Sequence, residues 1–275
     1  MVKLGMFVRQ TERESIESGI QFARELNLDA VDIHLSGIPK EPEGLLRLKM
    51  LCHKHGLPIG YLGSPGSLAG PEEGRQQRVE EAKAEVDTTA FLGAQLLRVF
   101  ARYRWPDTVE EQEAIWAVLI PSFQEVADYA AKKGVIVALQ NHDRSTFAMT
   151  AKQVLRILRD TNRPNFSFIM DSGQWLGAIG SDPRGEFDPN VDLYKDYLEP
   201  TAPYAICTRA KIYKIESGRE EFLDYERIME ILRAANFNGN ISIVFEGSKF
   251  NRCSREECLR LAVKHLREVI RAVFG

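Results

Sequence analysis

The chain has 275 residues, of which 44% are hydrophobic and 27% are charged, and its formal net charge is −3. The sequence contains no basic stripe of the kind that would indicate a nucleic-acid-binding surface. It also contains no apolar run that approaches the roughly 20 residues that a membrane span needs. The N-terminus soon becomes polar and does not resemble a signal peptide, so we expect a cytoplasmic protein that binds neither nucleic acid nor a membrane. The four cysteines form no Cys-x-x-Cys pair, which predicts reduced thiols.

Short apolar runs alternate with amphipathic stretches along the whole chain. The runs predict strands at residues 4–8, 30–35, 58–62, 95–100, 135–141, 166–170, 206–212 and 241–245. The amphipathic stretches predict helices at residues 12–26, 43–55, 72–92, 109–133, 151–160, 225–235 and 255–274. A long loop, 172–189, precedes the sixth helix. We expect Pro121 to kink or divide the fourth helix, and the turn-rich loop 63–71 to cover the site as a lid.

Eight strand–helix units without a linker predict an α/β fold in which residues 1–275 form a single (β/α)8 TIM barrel. In such a barrel the carboxyl ends of all strands meet at one mouth, which is where we expect the functional site. Strand side chains alternate between two faces, so the bulky apolar set of each strand should face the helices.

Polar residues then converge at the barrel mouth. The alternation directs inward a set of strand-end residues, namely Gln140, His142, Asp171, Arg209, Lys211 and Glu246. Further candidates from other strands are Arg9, His34, Arg98 and Arg102. So many ionisable groups inside a barrel carry a large desolvation cost, which favours a functional site over a structural ion-pair network.

These strand ends resemble the xylose isomerase-like barrel superfamily of sugar isomerases and epimerases, which also contains endonuclease IV and the inosose dehydratases. The resemblance covers nearly the whole chain and lies in residues 137–142, 170–175, 209–211, 222–225 and 242–247. It implies the barrel fold and a carbohydrate substrate. It does not identify the sugar, because one barrel hosts many chemistries.

The resemblance also implies a divalent metal, Mn²⁺, Mg²⁺ or Zn²⁺, held by four strand-end residues. Asp171 and Glu246 match two of the family's ligands, whereas Gln140 replaces a Glu and Arg209 replaces a His. Gln140 can still offer an oxygen, and His142 is a candidate nitrogen ligand, so these two complete the expected metal set. Because an arginine cannot bind a metal, a metal-free site is the alternative.

The sequence therefore predicts a sugar-type isomerase, epimerase or related lyase that removes a proton next to a carbonyl group. Glu246 is the expected base, with Arg209, Lys211 and His142 as further catalytic candidates. The enediolate would be stabilised by the metal or by Arg209. The family's second Glu base is absent, because Gln140 cannot take a proton.

Five residues near the strand ends are candidates for substrate binding: His34, Arg98, Asn141, Gln174 and Trp175. The Trp175 ring is either a flat wall for a sugar or part of the packing at the rim. The expected partner is a small carbohydrate, and a homodimer is a further expectation. Two other functions stay open: a non-catalytic sugar-binding barrel that has lost its metal ligands, and a nuclease, which five scattered histidines and the negative charge disfavour.

Overall fold

The computed structural model describes residues 2–11, 14–144, 146–178 and 187–275. Eight parallel strands in these ranges close into a barrel in chain order, and the last strand pairs with the first. The strands are β1 Lys3–Val8, β2 Ala30–His34, β3 Ile59–Gly63, β4 Leu96–Val99, β5 Ile136–Gln140, β6 Phe166–Asp171, β7 Ala205–Ile212 and β8 Asn240–Phe245. The predicted fold class is confirmed.

A helix follows each strand along the chain. The helices are α1 Ile16–Glu25, α2 Pro42–His55, α3 Arg75–Leu92, α4 Val109–Ala131, α5 Ala151–Thr161, α6 Glu199–Thr201, α7 Tyr225–Ala234 and α8 Arg255–Phe274. A π-helical turn, Leu193–Leu198, leads into the short α6. α1 starts later than predicted because Ser15 caps its first turn. α4 is a single helix of 23 residues through Pro121, so of the two expected effects, a kink or a division, the division is wrong.

The hydrophobic residues form two separate clusters on the two faces of the barrel wall. Phe168 and Met170 of β6 belong to the large cluster between strands and helices. Ile169, between them in sequence, lies in the small cluster inside the barrel, together with Tyr61, Ala138 and Cys207. The predicted alternation of β6 is therefore confirmed, and it places the side chain of Asp171 on the inner face.

The cysteines are in two different states. Cys253 and Cys258 form a disulfide at the start of α8, so the prediction that all four thiols are reduced is wrong for this pair. Cys52 and Cys207 are free and buried. Burial raises the pKa of Cys207 well above its ordinary value of 9.0, which does not suit a nucleophile. No helix in the described ranges has the length and apolarity of a membrane span.

The loop after β3, expected to act as a lid, lies along the continuation of β4. The backbone N–H of Ser64 donates to the carbonyl of Arg98 at 2.9 Å, and that of Leu68 donates to the carbonyl of Phe100 at 3.3 Å. Leu68 and Ala69 are buried. These hydrogen bonds hold residues 64–68 against the end of β4, the strand that carries Arg98.

Candidate active site at the barrel mouth

Four charged side chains from three adjacent strands form an ion-pair cluster, which we define as Asp171, Arg209, Lys211 and Glu246. The Nε of Arg209 donates to Oδ2 of Asp171 at 3.1 Å. The Nζ of Lys211 lies 2.7 Å from Oε1 of Glu246 and 3.6 Å from Oδ2 of Asp171. Lys211 therefore lies between the two carboxylates and contacts both.

Only one member of the ion-pair cluster is substantially exposed. The side chain of Glu246, directly after β8, keeps 23% of its surface exposed, whereas that of Lys211 keeps 1% and that of Asp171 none. Burial lowers the pKa of Lys211, and the two carboxylates oppose that effect by stabilising its charged form. The cluster thus presents one carboxylate to the mouth and keeps its counter-charges beneath.

A network of amide groups holds the ends of β5 and β6 together. The side chain of Asn141 donates to the carbonyls of Asp171 and Gln174 at 3.1 and 2.8 Å and accepts the backbone N–H of Asp171 at 2.8 Å. Both of its donors are used, so Asn141 positions the backbone rather than offering its N–H groups to a substrate. The Nε2 of Gln140 lies 3.3 Å from Oδ2 of Asp171 and 3.5 Å from Oε1 of Gln174.

The expected metal ligands do not fit a divalent ion. Oδ2 of Asp171 accepts from Arg209 and Gln140, and its Oδ1 accepts the backbone N–H of Gly173 at 3.1 Å. Within the described ranges, no three His, Cys, Asp or Glu side chains are grouped as metal ligands would be. The ammonium of Lys211 already provides a positive charge between the two carboxylates, and a second cation there would be repelled.

His142, the candidate nitrogen ligand, belongs to a different contact group. Its Nδ1 lies 2.9 Å from Oδ1 of Asp143 and 3.3 Å from the backbone N–H of Arg144. Its ring packs edge-on against Phe100, with 5.9 Å between the ring centroids. The contacts of His142 therefore do not include the expected metal ligands.

Beneath the ion-pair cluster lie three residues that sequence analysis did not select. The Nη1 of Arg209 donates to the hydroxyl of Tyr61, and its guanidinium lies over the ring of Phe7, 4.6 Å from the centroid. Asp32, fully buried in β2, accepts the backbone N–H of Tyr61 at 2.9 Å. Applying the alternation to β1, β2 and β3 would have found them, because Asp32 is a charge within an apolar strand.

The buried carboxyl of Asp32 is mostly neutral below pH 7. Burial raises its pKa from 3.8 to about 7, although the hydroxyl of Ser242, the backbone N–H of Tyr61 and the charge of Arg209 act in the opposite direction. Asn240 adds a contact at 3.4 to 3.5 Å. Such a shift is typical of a carboxyl group desolvated inside a barrel.

The opposite side of the mouth carries an arginine pair, defined as Arg98 and Arg102. Both guanidiniums lie over the ring of Phe100, 4.2 and 4.6 Å from its centroid. Arg98 is only 2% exposed. Across the ranges that the structure covers, neither arginine has a carboxylate oxygen within 4.0 Å.

His34 lies within the electrostatic reach of this basic side. The pKa of His34 is lowered from 6.5 to about 4, mainly by burial and then by the guanidinium charges, of which Arg98 contributes most and Arg209 next. The backbone N–H of Ser36 donates to Nδ1 of His34 at 3.3 Å, which assigns the proton of the neutral ring to Nε2. His34 is therefore an uncharged hydrogen-bond donor at neutral pH.

Trp175 lies in the hydrophobic core. It is fully buried and stacks on Tyr197, with 5.0 Å between the ring centroids. Its ring has no exposed surface to offer a sugar, because β6 and the helical turn of Tyr197 enclose it. Of the two interpretations of Trp175, the structure supports packing.

Residues 20–269 match the family model described as Xylose isomerase-like TIM barrel. No curated protein sequence matches the chain significantly. The fold is similar to that of D-psicose 3-epimerase from Clostridium cellulolyticum H10, with TM-score 0.77, 16% identity and 99% of each chain covered.

Two further solved structures share the fold. The structure of 3-keto-D-glucoside 4-epimerase from E. coli superimposes with a TM-score of 0.74 at 16% sequence identity, and the alignment covers 98% of this chain and 100% of that chain. For a xylose isomerase domain protein from Planctomyces limnophilus the TM-score is 0.73 at 16% identity, and the alignment covers 99% of this chain and 98% of that chain. With the match of the family model over most of its length, the chain belongs to the xylose isomerase-like TIM barrel family.

Proposed function

We propose that this barrel is a sugar-type isomerase, epimerase or related lyase that acts on a small polyhydroxylated carbonyl compound at its mouth. The observation that carries the proposal is Glu246, a partly exposed carboxylate held at a strand end by a buried ammonium at 2.7 Å. Similar structures of sugar epimerases support this substrate class. At 16% identity they support it through the fold alone.

The reaction begins with removal of a proton from the carbon next to the substrate carbonyl. The carboxylate of Glu246 takes that proton, the C–H electron pair forms a carbon–carbon double bond, and the carbonyl π pair moves onto oxygen. The resulting enediolate needs positive charge nearby. Arg209 and Lys211 supply it, because both guanidinium and ammonium are held in place by the buried Asp171.

A single base restricts the outcomes. Epimerisation needs a proton returned to the opposite face of the same carbon, and Gln140 has no proton-transfer group for that step. Isomerisation follows if Glu246 returns the proton to the original carbonyl carbon. The hydroxyl proton of the deprotonated carbon then passes to the original carbonyl oxygen, so that the carbonyl group moves by one carbon. Loss of hydroxide from the next carbon, with a proton from the protonated Glu246, gives elimination of water. Isomerisation and elimination therefore suit the site better than epimerisation.

The test is hydrogen exchange at the carbon next to the carbonyl. The protein is incubated in D₂O with aldoses, ketoses, sugar acids and sugar phosphates of three to six carbons, and NMR follows loss of that C–H signal. We expect exchange with at least one compound, unchanged by EDTA, and a rate reduced at least about 100-fold in Glu246→Gln. The exposed Glu256→Gln is the matched control and should keep the wild-type rate.

The same experiment tests the alternative of a non-catalytic sugar-binding barrel. Absence of exchange with every compound, together with measurable sugar binding, would favour that alternative. Equal rates in Glu246→Gln and wild type would exclude Glu246 as the base. Loss of exchange with EDTA would contradict the metal-free mechanism.

A further inference from the structure

A buried arginine without a counter-ion is the feature of the mouth that the proposed reaction does not use. Arg98 lies on β4, is 2% exposed, and its Nε has no hydrogen-bond partner among the residues described. The charge of Glu85 acts on the Arg98 guanidinium, but Glu85 forms no ion pair with it. A guanidinium desolvated to this degree costs free energy unless another group compensates it.

The surroundings keep the guanidinium of Arg98 in place. Gly63 of β3 lies opposite Arg98 in the strand register, and a Cβ atom at Gly63 would overlap the guanidinium. The ring of Phe100 supports the other side, at 4.2 Å. The absence of a side chain at Gly63 therefore leaves the space that Arg98 occupies.

A second guanidinium lies beside the first on an anchored segment. Arg102 shares the Phe100 ring with Arg98, and its backbone forms a bridge with Thr146. The hydroxyl of Thr146 also donates to the carbonyl of Ala101 at 2.9 Å. Two cations are thus held together on a hydrogen-bonded frame, one buried and one exposed, although their mutual repulsion is unfavourable.

We propose that the arginine pair binds an anionic group of the substrate, a carboxylate or a phosphate. Either group provides the negative charge that the described neighbours of Arg98 and Arg102 do not, and planar guanidiniums match the oxygens of both. The neutral His34 adds an uncharged donor on the same side. The inference rests on the proposed function, since it defines the class of substrate: sugar acids or sugar phosphates rather than neutral sugars.

The test measures binding and does not require turnover. Isothermal titration compares inorganic phosphate, D-gluconate and D-glucitol, the last two being a sugar carboxylate and a neutral polyol of the same length. We expect phosphate, gluconate or both to bind at least roughly tenfold more tightly than glucitol, and Arg98→Gln and Arg102→Gln each to weaken anion binding roughly tenfold. Arg24→Gln, on the exposed face of α1, removes the same charge and should leave all three affinities unchanged.

Each outcome decides the inference. Tighter binding of phosphate alone identifies a phosphorylated substrate, and tighter binding of gluconate alone identifies a sugar acid. Equal binding of both anions and glucitol, or equal anion binding in wild type and both variants, would overturn the proposal. If Arg98→Gln does not fold, the exposed Arg102→Gln answers the question.

Failure of the inference can be told apart from failure of the proposed function. Glu246→Gln should retain anion binding while losing hydrogen exchange. Exchange seen only with neutral sugars would refute the anion site and leave the isomerase proposal standing. Anion binding at the arginine pair without hydrogen exchange in any compound would refute the isomerase proposal and leave the anion site standing.

Discussion

The two sides of the barrel mouth differ in whether their cationic side chains are paired with carboxylates. In the ion-pair cluster, Lys211 and Arg209 each contact a carboxylate, and the only substantially exposed member is Glu246. In the arginine pair, neither guanidinium has a carboxylate within 4.0 Å among the described residues. Each side buries at least one cation in a low-dielectric region, Lys211 in the ion-pair cluster and Arg98 in the arginine pair, and an unpaired charge is costly there.

The difference indicates a division of work within one site. Paired charges can hold a catalytic carboxylate in place without help from a ligand. An unpaired buried cation carries a desolvation free energy in the free protein. An anionic ligand offsets that free energy when it binds, which raises its affinity. We therefore propose that the reaction takes place on the side of β6, β7 and β8, and that the end of β4 recognises the charge of the substrate.

The largest effect is expected from removing the central cation of the paired side. Lys211→Met should destabilise the protein by about 3 to 5 kcal/mol, because it leaves two carboxylates without their shared ammonium. Urea unfolding measures the loss. Lys214→Met, three residues away and partly exposed beside Glu221, should cost no more than about 1 kcal/mol. Equal losses in the two variants would show that the ion-pair cluster contributes no more than a surface pair.

Next in size is the pH dependence caused by Asp32. Its pKa is about 7 in the folded protein and 3.8 ordinarily, so the folded state holds an extra proton between these values. The stability contributed by the neutral carboxyl is complete below pH 3.8 and is lost as pH rises towards 7. At 1.36 kcal/mol per pKa unit the loss approaches about 4 kcal/mol.

Asp32→Asn should remove this dependence. The variant gains stability over the wild type at pH 8, and the gain shrinks as pH falls to 5. The amide can still accept the N–H of Tyr61, and Asn240 can rotate its own amide to face the new group. Thermal unfolding at several pH values measures the gain, and a gain independent of pH would contradict the assigned pKa.

The smallest effect concerns the unpaired side and changes no charge. Gly63→Ala should displace the guanidinium of Arg98 and weaken anion binding roughly tenfold, or about 1.4 kcal/mol. Gly66→Ala, in the same loop, adds a Cβ that meets only Ser64 Oγ at 3.4 Å and should leave the affinity unchanged. Titration with inorganic phosphate or D-gluconate compares the two. Unchanged affinity in Gly63→Ala would show that anion binding does not depend on the position of the Arg98 guanidinium.

Much of the site could be predicted because strand alternation is a local property. Asp171 ends β6, Arg209 and Lys211 lie in the second half of β7, and Glu246 directly follows β8, so the alternation brings all four to the inner face near the mouth. The interpretation was incomplete where a residue's partner lies far away in sequence. The sequence leaves two roles open for Trp175, and its stacking on the distant Tyr197 supports packing.

The sequence by itself determined the eightfold strand–helix order, the inward face of β6 and the charged residues that reach the mouth. Only the tertiary structure decided how those charges pair. Asp171 lies opposite Arg209 in the register of β6 and β7, and Lys211 lies opposite Val244 in that of β7 and β8. These registers place the ammonium of Lys211 between the carboxylates of Asp171 and Glu246. Register depends on packing between strands that are far apart in sequence, so no local pattern encodes it.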